Sequence, residues 1–375
     1  MTGNSQNGNG IGHQRKKVLV AGATGAVGSL VAELVDKHPE LELAGITARD
    51  TEDANSPIGK KLFEIYPEHR VDCEFQLVSD LDLPSFDAAV IAYPAGPAAR
   101  LADELLDAGL KVVDSCAAFR FEKVETYEEW YGDHGAPHLN SSATYGLPEL
   151  NRNQLRKAEL VGNPGCYPTA SVLALAPLAA RGLIDDVVID AKSGVSGAGK
   201  RGENAPPFIG TFDNMRPYGI PGHKHEPEIR EQLRLLGYGG GLSFVPHLIP
   251  IDQGELVSCY VKPTRGVDPD ELSEMYQQTY AAELFVELAE ELPTAREVQQ
   301  TNICRVHPTM NKARDRIMVF ATIDNLWKGG ASQAIQNLNL VLGLPEPAGI
   351  DVAVALSAEA KTIEKMPLDR APVSA

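Results

Sequence analysis

The sequence predicts an α/β domain built on a doubly wound parallel sheet, followed by an α+β domain with a mixed or antiparallel sheet. Three observations support this prediction. A short apolar strand at residues 17–23 runs into a glycine-rich turn and then a helical pattern. Strands and helices alternate with short links up to about residue 115. Beyond residue 166, strand patterns follow one another without regular helices between them.

Composition limits the classes of function. The 375 residues are sufficient for two domains, and 43% hydrophobic with 23% charged residues is typical of a soluble globular protein. A net charge of −17 argues against a nucleic-acid or anionic-membrane surface. No apolar run is long enough to span a bilayer, and the five cysteines are scattered without a CxxC pair. We therefore expect a cytoplasmic protein with reduced thiols and no metal, membrane or nucleic-acid partner.

The turn after the first strand resembles a dinucleotide-binding fingerprint. Its spacing is GxxGxxG, with a strand before it and the helical pattern Leu30–Lys37 after it. Glycines in such a turn let the backbone approach a pyrophosphate at the helix N-terminus, as in Rossmann-type domains. A plain glycine turn is the alternative. The predicted cofactor-binding residues of this turn are Gly22, Thr24, Gly25, Ala26, Val27 and Gly28.

The second strand, 41–48, ends in Arg49-Asp50, about twenty residues after the glycines. A carboxylate at this point favours NAD through the ribose 2′-hydroxyl, whereas a guanidinium favours the 2′-phosphate of NADP. Because both side chains are present, these residues alone leave the choice open.

Further strands are predicted at 75–79, 88–93 and 111–115, with a helix at 97–108. The carboxyl ends of parallel strands meet at one edge of a sheet, where ligands bind. We therefore expect Thr24, Ala95, Gly96 and Ser115 to face one crevice. Arg120 follows the last of these strands and is predicted either to be solvated or to bind an anion.

Cys166 is the candidate nucleophile. It lies between a strand pattern at 158–161 and a helical pattern at 169–180, within Asn163-Pro-Gly-Cys-Tyr-Pro-Thr169. The N-terminus of a helix lowers the pKa of a thiol and offers free N–H groups to an oxyanion. An inert core cysteine is the alternative.

Two later segments concentrate polar chemistry. Ser193–Lys200 nearly matches a phosphate-binding P-loop, but Arg201 replaces the Ser or Thr that would hold magnesium, which excludes ATP hydrolysis. Its glycine loop, with Lys200 and Arg201, is predicted to bind a phosphate or carboxylate.

The second segment, Gly222-His-Lys-His-Glu-Pro-Glu228, carries two histidines before a helix that Glu226 and Glu228 open. The two acids suit a helix N-terminus for structural reasons alone. A zinc site would need a third ligand, so proton exchange by His223 or His225 beside a cysteine is the preferred interpretation.

Together these motifs resemble the N-acetyl-γ-glutamyl-phosphate reductase family, which is related to aspartate-semialdehyde dehydrogenase. The resemblance extends over about residues 17–350. It covers 22–28, 59–60, 145–149, 163–169, 193–200, 222–228, 247–250, 325–329 and 333–337.

The resemblance implies an NADPH-dependent reduction of an acyl phosphate through a thioester, with phosphate as a product, in a homodimer or homotetramer. It implies that Cys166 is the nucleophile and His225 the acid/base, with His223 and Glu228 nearby. Cofactor residues implied by it are Thr47 and Arg49 at the 2′-phosphate, together with Ala95, Gly96, Ser115, Ser196, Gly197, Asn325 and Lys328. Candidate substrate-binding residues are Arg120, Asn163, Lys200 and Arg201.

Three positions depart from the family pattern. Ala95 replaces a usual His, Ala118 a usual Asp, and Gln253 a frequent Arg. These changes leave two alternatives open. One is a related reductase of a longer acyl phosphate, such as carrier-bound aminoadipyl phosphate, and the other is a non-catalytic, NADPH-binding regulatory protein.

The predicted division of the chain has four parts. Residues 1–15 form a disordered leader and 349–375 a tail. The NADP-binding domain comprises 16–165 with 329–348, and the catalytic and oligomerisation domain comprises 166–328.

Overall fold

The computed structural model describes residues 15–49, 56–198 and 213–350. The strands of the first sheet are β1 (Lys16–Ala21), β2 (Leu41–Thr47), β3 (Phe75–Gln76), β4 (Ala88–Ile91), β5 (Lys111–Asp114), β6 (Thr144–Tyr145) and β7 (Leu160–Gly162). The helices between them are α1 (Ala26–Asp36), α2 (Leu62–Ile65), α3 (Ala95–Asp107), α4 (Val124–Tyr131) and α5 (Pro148–Leu155).

The second half contains α6 (Cys166–Ala179), β8 (Ile184–Ser193), β9 (Arg216–Pro217), α7 (His225–Leu235), β10 (Gly241–Leu248), β11 (Glu255–Pro263), α8 (Pro269–Tyr280), β12 (Val286–Leu288), β13 (Cys304–Met310), β14 (Ile317–Ile323) and α9 (Ala331–Val341). Short 3₁₀ segments lie at Val78–Asp80, Leu83–Ser85, Pro137–Ser142, Val195–Ala198 and Ala295–Val298.

All neighbouring strands of the first sheet are parallel, in the order β3-β2-β1-β4-β5-β7-β6. The direction of strand succession reverses beside β1, so a crevice opens there at the carboxyl ends of the strands. The second sheet has the order β12-β13-β14-β11-β8-β10-β9 and mixes parallel with antiparallel pairs. Both predicted sheet types are confirmed.

Helix α6 connects the two halves at the core. Every residue from Tyr167 to Ala179 is buried, as expected for a helix that is apolar all round. It packs on β11, β14 and α7, over an apolar cluster that the second sheet provides. Its first residue, Cys166, is only partly buried, because the N-terminus of α6 reaches the crevice of the first sheet.

The last described helix, α9, is completely buried and packs against α1 and α5, beside the first sheet. Six short elements were not expected from the sequence: α2, α4, α5, β6, β9 and β12. The segment 145–149, one of the motifs that carry the resemblance, contains the end of β6 and the start of α5. The division into domains made from the sequence stays a proposal.

Candidate active site

A single cleft of about 840 Å³ brings most of the predicted site residues together. It is lined by the start of α1, the start of α6, the two histidines before and in α7, and segments after β5, β8 and β14. The site therefore lies between the two sheets, at the crevice of the first.

The glycine turn between β1 and α1 is closed by direct backbone contact. Gly22 has φ of +95°, which favours glycine, and a Cβ on Gly28 would lie 2.3 Å from the carbonyl oxygen of Gly22. Gly25 precedes α1 without any side-chain cap, so the first N–H groups of the helix are free of side-chain acceptors. Gly25, Ala26, Val27 and Gly28 line the cleft, which is the cradle that a pyrophosphate requires.

The end of β2 provides a guanidinium near this turn. Thr47 is buried, and its hydroxyl group is hydrogen-bonded to that of Tyr93 at 2.8 Å. Arg49 is exposed, and its charge acts on Tyr93 by lowering the pKa of the phenol, although burial raises that pKa overall. Asp50, whose carboxylate would favour NAD instead, lies outside the described residues.

Ser196 and Gly197, after β8, line the opposite part of the cleft with Asn325. The amide of Asn325 donates to Ser196 Oγ at 3.0 Å and accepts from the Gly254 N–H at 2.7 Å. This amide therefore joins the segments after β8 and β14 into one wall.

Cys166 is the first residue of α6, and Gly165 precedes it without a side-chain cap. The expectation of a lowered thiol pKa is wrong for this structure, in which the pKa of Cys166 is raised well above its usual value. Burial is the main cause, followed by the charge of Glu255. The Tyr167 N–H and the charge of Arg120 lower the pKa, but by less.

His225 lies against the start of α6, since a Cβ on Gly165 would be 2.6 Å from His225 Nε2. Burial, with the charges of His223 and Arg120, holds the pKa of His225 well below its usual value. Burial likewise lowers the pKa of His223 to about 4. The two rings are 4.9 Å apart, and His223 Nδ1 accepts the backbone N–H of His225 at 3.1 Å. Both imidazoles are therefore neutral at physiological pH.

A buried ion pair supports the start of α6. Arg120 Nη1 donates to Glu228 Oε2 at 3.2 Å, and Glu228 Oε1 accepts from the Tyr145 hydroxyl and the Gly165 N–H at 2.9 and 3.0 Å. Arg120 also donates to the carbonyl oxygens of Asn163 and Ser115. Arg120 lines the cleft, but Glu228 has no exposed surface, so this network positions the backbone beside Cys166.

Several predicted residues lie away from the cleft lining. Lys328 is fully buried and pairs with Glu149 at 2.7 Å, so its ammonium group is used inside the protein rather than at a cofactor. The side chain of Asn163 donates to the Gly330 carbonyl and accepts from Asn337. The residues Gly22, Thr24, Thr47 and Gly96 stand next to the lining without forming part of it. Lys200 and Arg201 lie outside the described residues.

Sequence reasoning missed three charged residues at the site. Arg216 and Lys224 line the cleft and bring cations to it. Glu255 is fully buried and acts on the Cys166 thiol. A weak signal for Glu255 existed in the sequence, because an acid stands where the alternation of β11 places an inward side chain.

The comparisons with known proteins agree with this geometry. Residues 17–158 match the family model "Semialdehyde dehydrogenase, NAD binding domain", and residues 166–325 match "Semialdehyde dehydrogenase, dimerisation domain". An N-acetyl-gamma-glutamyl-phosphate reductase of Desulforudis audaxviator is 43% identical over 344 residues, 89% of this chain and 97% of that protein. A reductase of the same name from Laribacter hongkongensis is 40% identical over 344 residues, 90% of this chain and 98% of that protein.

The chain belongs to the N-acetyl-γ-glutamyl-phosphate reductase family. The resemblance inferred from the sequence motifs is thus confirmed. Among solved structures, aspartate semialdehyde dehydrogenase II of Vibrio cholerae shares the fold, with a TM-score of 0.68 at 20% identity over 88% of this chain and 99% of that one. An aspartate semialdehyde dehydrogenase of Candida albicans, solved with NADP, has a TM-score of 0.64 at 18% identity, covering 87% of this chain and 98% of that one.

The three departures from the reductase family pattern have different surroundings. Ala95 lines the cleft at the start of α3. Ala118 is fully buried in the cluster beside the first sheet. The carbonyl oxygen of Gln253 accepts from Gln299 Nε2 at 2.7 Å. Of these three positions, only Ala95 lines the cleft.

Neither a membrane-spanning helix nor a cluster of three metal-ligating side chains occurs within the described parts of the chain.

Proposed function

We propose that this chain catalyses the NADPH-dependent reductive dephosphorylation of N-acetyl-γ-glutamyl phosphate to N-acetylglutamate semialdehyde, a step of arginine biosynthesis. One observation supports this most strongly. The Cys166 thiol, the His225 imidazole and the glycine turn of α1 open into one cleft, in a chain 43% identical to a reductase of that name.

NADP(H) suits the cleft at both ends. The glycine turn receives the pyrophosphate through backbone N–H groups, because side chains at Gly22 and Gly28 would close it. Arg49 and Thr47 stand at the end of β2, where the 2′-phosphate is expected, while Ala95, Gly96, Ser115, Ser196, Gly197 and Asn325 border the remainder. When bound, the nicotinamide supplies a hydride to the carbonyl carbon.

Cys166 forms the covalent intermediate. Its sulfur attacks the acyl phosphate carbon and phosphate leaves with the bonding electrons, which gives a thioester. Splitting the reduction into acyl transfer and thioester reduction replaces one difficult step by two easier ones. Collapse of the thiohemiacetal then releases the semialdehyde and frees the sulfur.

The oxyanion is stabilised by N–H groups of the first turn of α6. The Gly165 N–H is already donated to Glu228, so the N–H of Cys166 itself is the nearest donor available for this role. His225 exchanges protons with the substrate oxygen, while His223 and Glu228 position it and the adjacent backbone.

The substrate carries negative charges, although the protein is acidic overall. Arg120 and Lys200 with Arg201 remain the proposed partners from the sequence, with Asn163 orienting the loop before α6. Arg216 and Lys224 are added because they line the cleft. These few cations at the cleft, rather than the overall charge of the protein, attract the anionic substrate.

An assay in the reverse direction tests the function. Purified protein is supplied with N-acetylglutamate semialdehyde, phosphate and NADP, and absorbance of the reduced cofactor is followed. We expect phosphate-dependent reduction of NADP. Activity confined to the aminoadipyl analogue would instead identify a longer acyl substrate, and tight NADPH binding without turnover would indicate a regulatory protein. The names of the similar reductases favour neither alternative.

Assembly and location are part of the same proposal. We propose a cytoplasmic homo-oligomer, a dimer or tetramer, formed through residues 166–328. Val188 and Tyr260 face each other across β8 and β11 and are 37% and 39% exposed on the outer side of the second sheet. Sedimentation velocity of the protein and of a Tyr260→Glu variant tests this interface, since the variant should dissociate.

A further inference from the structure

Glu255 is a buried acid that the mechanism above does not use. It is the first residue of β11, and none of its surface is exposed. Val257, Cys259 and Val261 follow on the same face of the strand and belong to the apolar cluster beneath α6. Glu255 thus places a carboxyl group at the end of an otherwise apolar row.

Among the described residues, neither carboxyl oxygen of Glu255 has a hydrogen-bond partner of normal geometry. A buried polar group without a partner weakens a fold, so stability does not explain its presence. Two other buried acids near the cleft differ. Glu228 accepts hydrogen bonds from a guanidinium, a phenol and a backbone N–H. Asp324 accepts from three backbone N–H groups.

Contacts of the intervening residues place the Cys166 thiol beside Glu255. A Cβ on Gly329 would be 2.7 Å from Cys166 Cβ and 2.5 Å from the Asn325 carbonyl oxygen. The Asn325 side chain accepts from the N–H of Gly254, the residue before Glu255. The side chains of Cys166 and Glu255 are close enough for a hydrogen-bonding interaction to act on both pKa values, raising that of Cys166 and lowering that of Glu255. Among the described residues, Glu255 is the charged residue that affects the pKa of the thiol most strongly. A buried acid that has no described partner besides a nucleophile is an arrangement typical of functional sites.

We infer that Glu255 exchanges a proton with the Cys166 thiol during the reaction, an inference that rests on the proposed function. The S–H proton passes to a carboxylate oxygen of Glu255 as sulfur bonds to the acyl carbon and the carbon–oxygen bond to phosphate breaks. When the thiohemiacetal collapses, the carbon–sulfur bond breaks and the Glu255 carboxylic acid returns the proton to sulfur. The leaving phosphate takes up its own proton from solvent.

The acid–base properties of the site agree with this role. Burial raises the pKa of Glu255 to about 8, close to the pH at which the exchange must run. Both imidazoles are weaker bases, because burial lowers their pKa values. A thiol and a carboxyl group in contact titrate as a pair. When the pair has lost one proton, it exists in two forms at equilibrium: thiol with carboxylate, and thiolate with carboxylic acid.

Other titratable groups act on this pair from the surrounding elements. Asp324, which follows β14, raises the pKa of Glu255, and Arg120 lowers the pKa of Cys166. Glu255 in turn raises the pKa values of Tyr167 in α6, Tyr218 after β9 and Cys304 in β13. The phenols and the second thiol stay neutral near pH 8, so among these described groups only the pair titrates there.

The test measures alkylation of Cys166 by iodoacetamide from pH 6 to pH 10 in the full chain, followed by peptide mass spectrometry. In the wild type, we expect the rate to rise as the pair loses its first proton, near pH 8. In Glu255→Gln, the inflection near pH 8 should disappear, because no carboxyl group is left to share the proton. Since Glu255 raises the pKa of the thiol, the single rise that remains should lie at lower pH than the last rise of the wild type.

An unchanged alkylation profile excludes contact between the two groups and overturns the inference. A changed profile with undiminished kcat also overturns it, because Glu255 would then only repel the thiolate. Glu287→Gln is the matched control, since Glu287 lies in the same sheet, is partly exposed and pairs with Arg305. Glu255→Asp should restore part of the wild-type profile, and circular dichroism checks that each variant is folded.

Turnover separates this inference from the function on which it rests. In the reductase assay, Glu255→Gln should lower kcat by about tenfold or more at neutral pH. Alkylation needs no substrate, so a changed profile without any reductase activity would refute the proposed function alone. Reductase activity with an alkylation profile that Glu255→Gln leaves unchanged would refute the inference alone.

Discussion

Helices α1 and α6 both begin in the cleft after a glycine, and neither has a side-chain cap or an acid in its first turn. Around α1, the binding surface is made by backbone alone, through the close contact of Gly28 with Gly22. Around α6, it is made by buried ionisable side chains: Arg120 with Glu228 on the one hand, and Glu255 on the other.

The comparison shows two uses of a free helix N-terminus. A turn without side chains accepts a large anion by shape and dipole, and no proton has to move there. A thiol at the same position must change its charge during the reaction. It therefore needs some groups that keep the surrounding backbone in position and another group that exchanges protons with the sulfur. The ion pair of Arg120 with Glu228 makes several hydrogen bonds to the backbone around α6 and suits the former task, whereas Glu255 suits the latter.

Removing the sulfur of Cys166 should distinguish the N-termini of α1 and α6 most clearly, through its effect on turnover. Cys166→Ala should lower turnover at least about a thousandfold, because the thioester can no longer form. NADPH affinity, measured by fluorescence titration, should stay unchanged, since α1 is intact. Cys116→Ala, which removes another thiol from the cleft lining, should keep most of the turnover. Near-normal turnover of Cys166→Ala would contradict the mechanism.

Removing the buried ion pair of Arg120 with Glu228 should lower the stability of the fold. Arg120→Met leaves Glu228 buried without its cation, so we expect a loss of about 3–5 kcal/mol in the free energy of unfolding, measured with urea. Arg234→Met provides the control, because Arg234 pairs with Glu122 at the surface and should lose less than about 1 kcal/mol. Equal losses in the two variants would mean that the buried pair does not support α6.

Glu255 should make the free energy of unfolding depend on pH, in a direction that follows from its raised pKa. The pKa of Glu255 is raised to about 8 from a usual value of 4.5. Between these values the folded state binds more protons than the unfolded state, so stability falls as pH rises and the loss is complete above about pH 8. Relative to Glu255→Gln, the wild type should lose a few kcal/mol (order of magnitude) between pH 5 and pH 8. Parallel curves in urea unfolding would refute the raised pKa.

The smallest effects are expected at α1. Gly28→Ala places a Cβ 2.3 Å from the Gly22 carbonyl oxygen, so it should disturb the turn, lower the melting temperature and weaken NADPH binding about tenfold. Gly25→Ala meets no atom closer than 3.9 Å, so it should weaken binding by projecting into the cleft while leaving the melting temperature unchanged. Gly239→Ala, with no neighbour within 4 Å, is the control for both measurements. Unchanged NADPH affinity in both cleft variants would exclude the turn as the cofactor site.

Much of the site could be predicted from short segments. The glycine spacing, the strand before Cys166 and the helix after it are local patterns, and local steric rules determine them. The pairs of charges could not be predicted in this way. Lys328 was expected at the cofactor from its motif, yet it pairs with Glu149, which is 179 residues away in sequence. Likewise, Glu228 reaches the Gly165 N–H from a helix 63 residues further on.

By itself, the sequence determined the two kinds of sheet, the family and the positions of the glycine turn and of the candidate nucleophile. Each depends on periodicity, on residue spacing or on motifs within one stretch of chain. Only the tertiary structure decided the acid–base state of the site: a raised rather than lowered pKa at Cys166, two neutral histidines and a buried Glu255 beside the thiol. The physical reason is that a pKa depends on burial and on charges brought close by folding, whereas the dipole of a helix end is only one of the contributions.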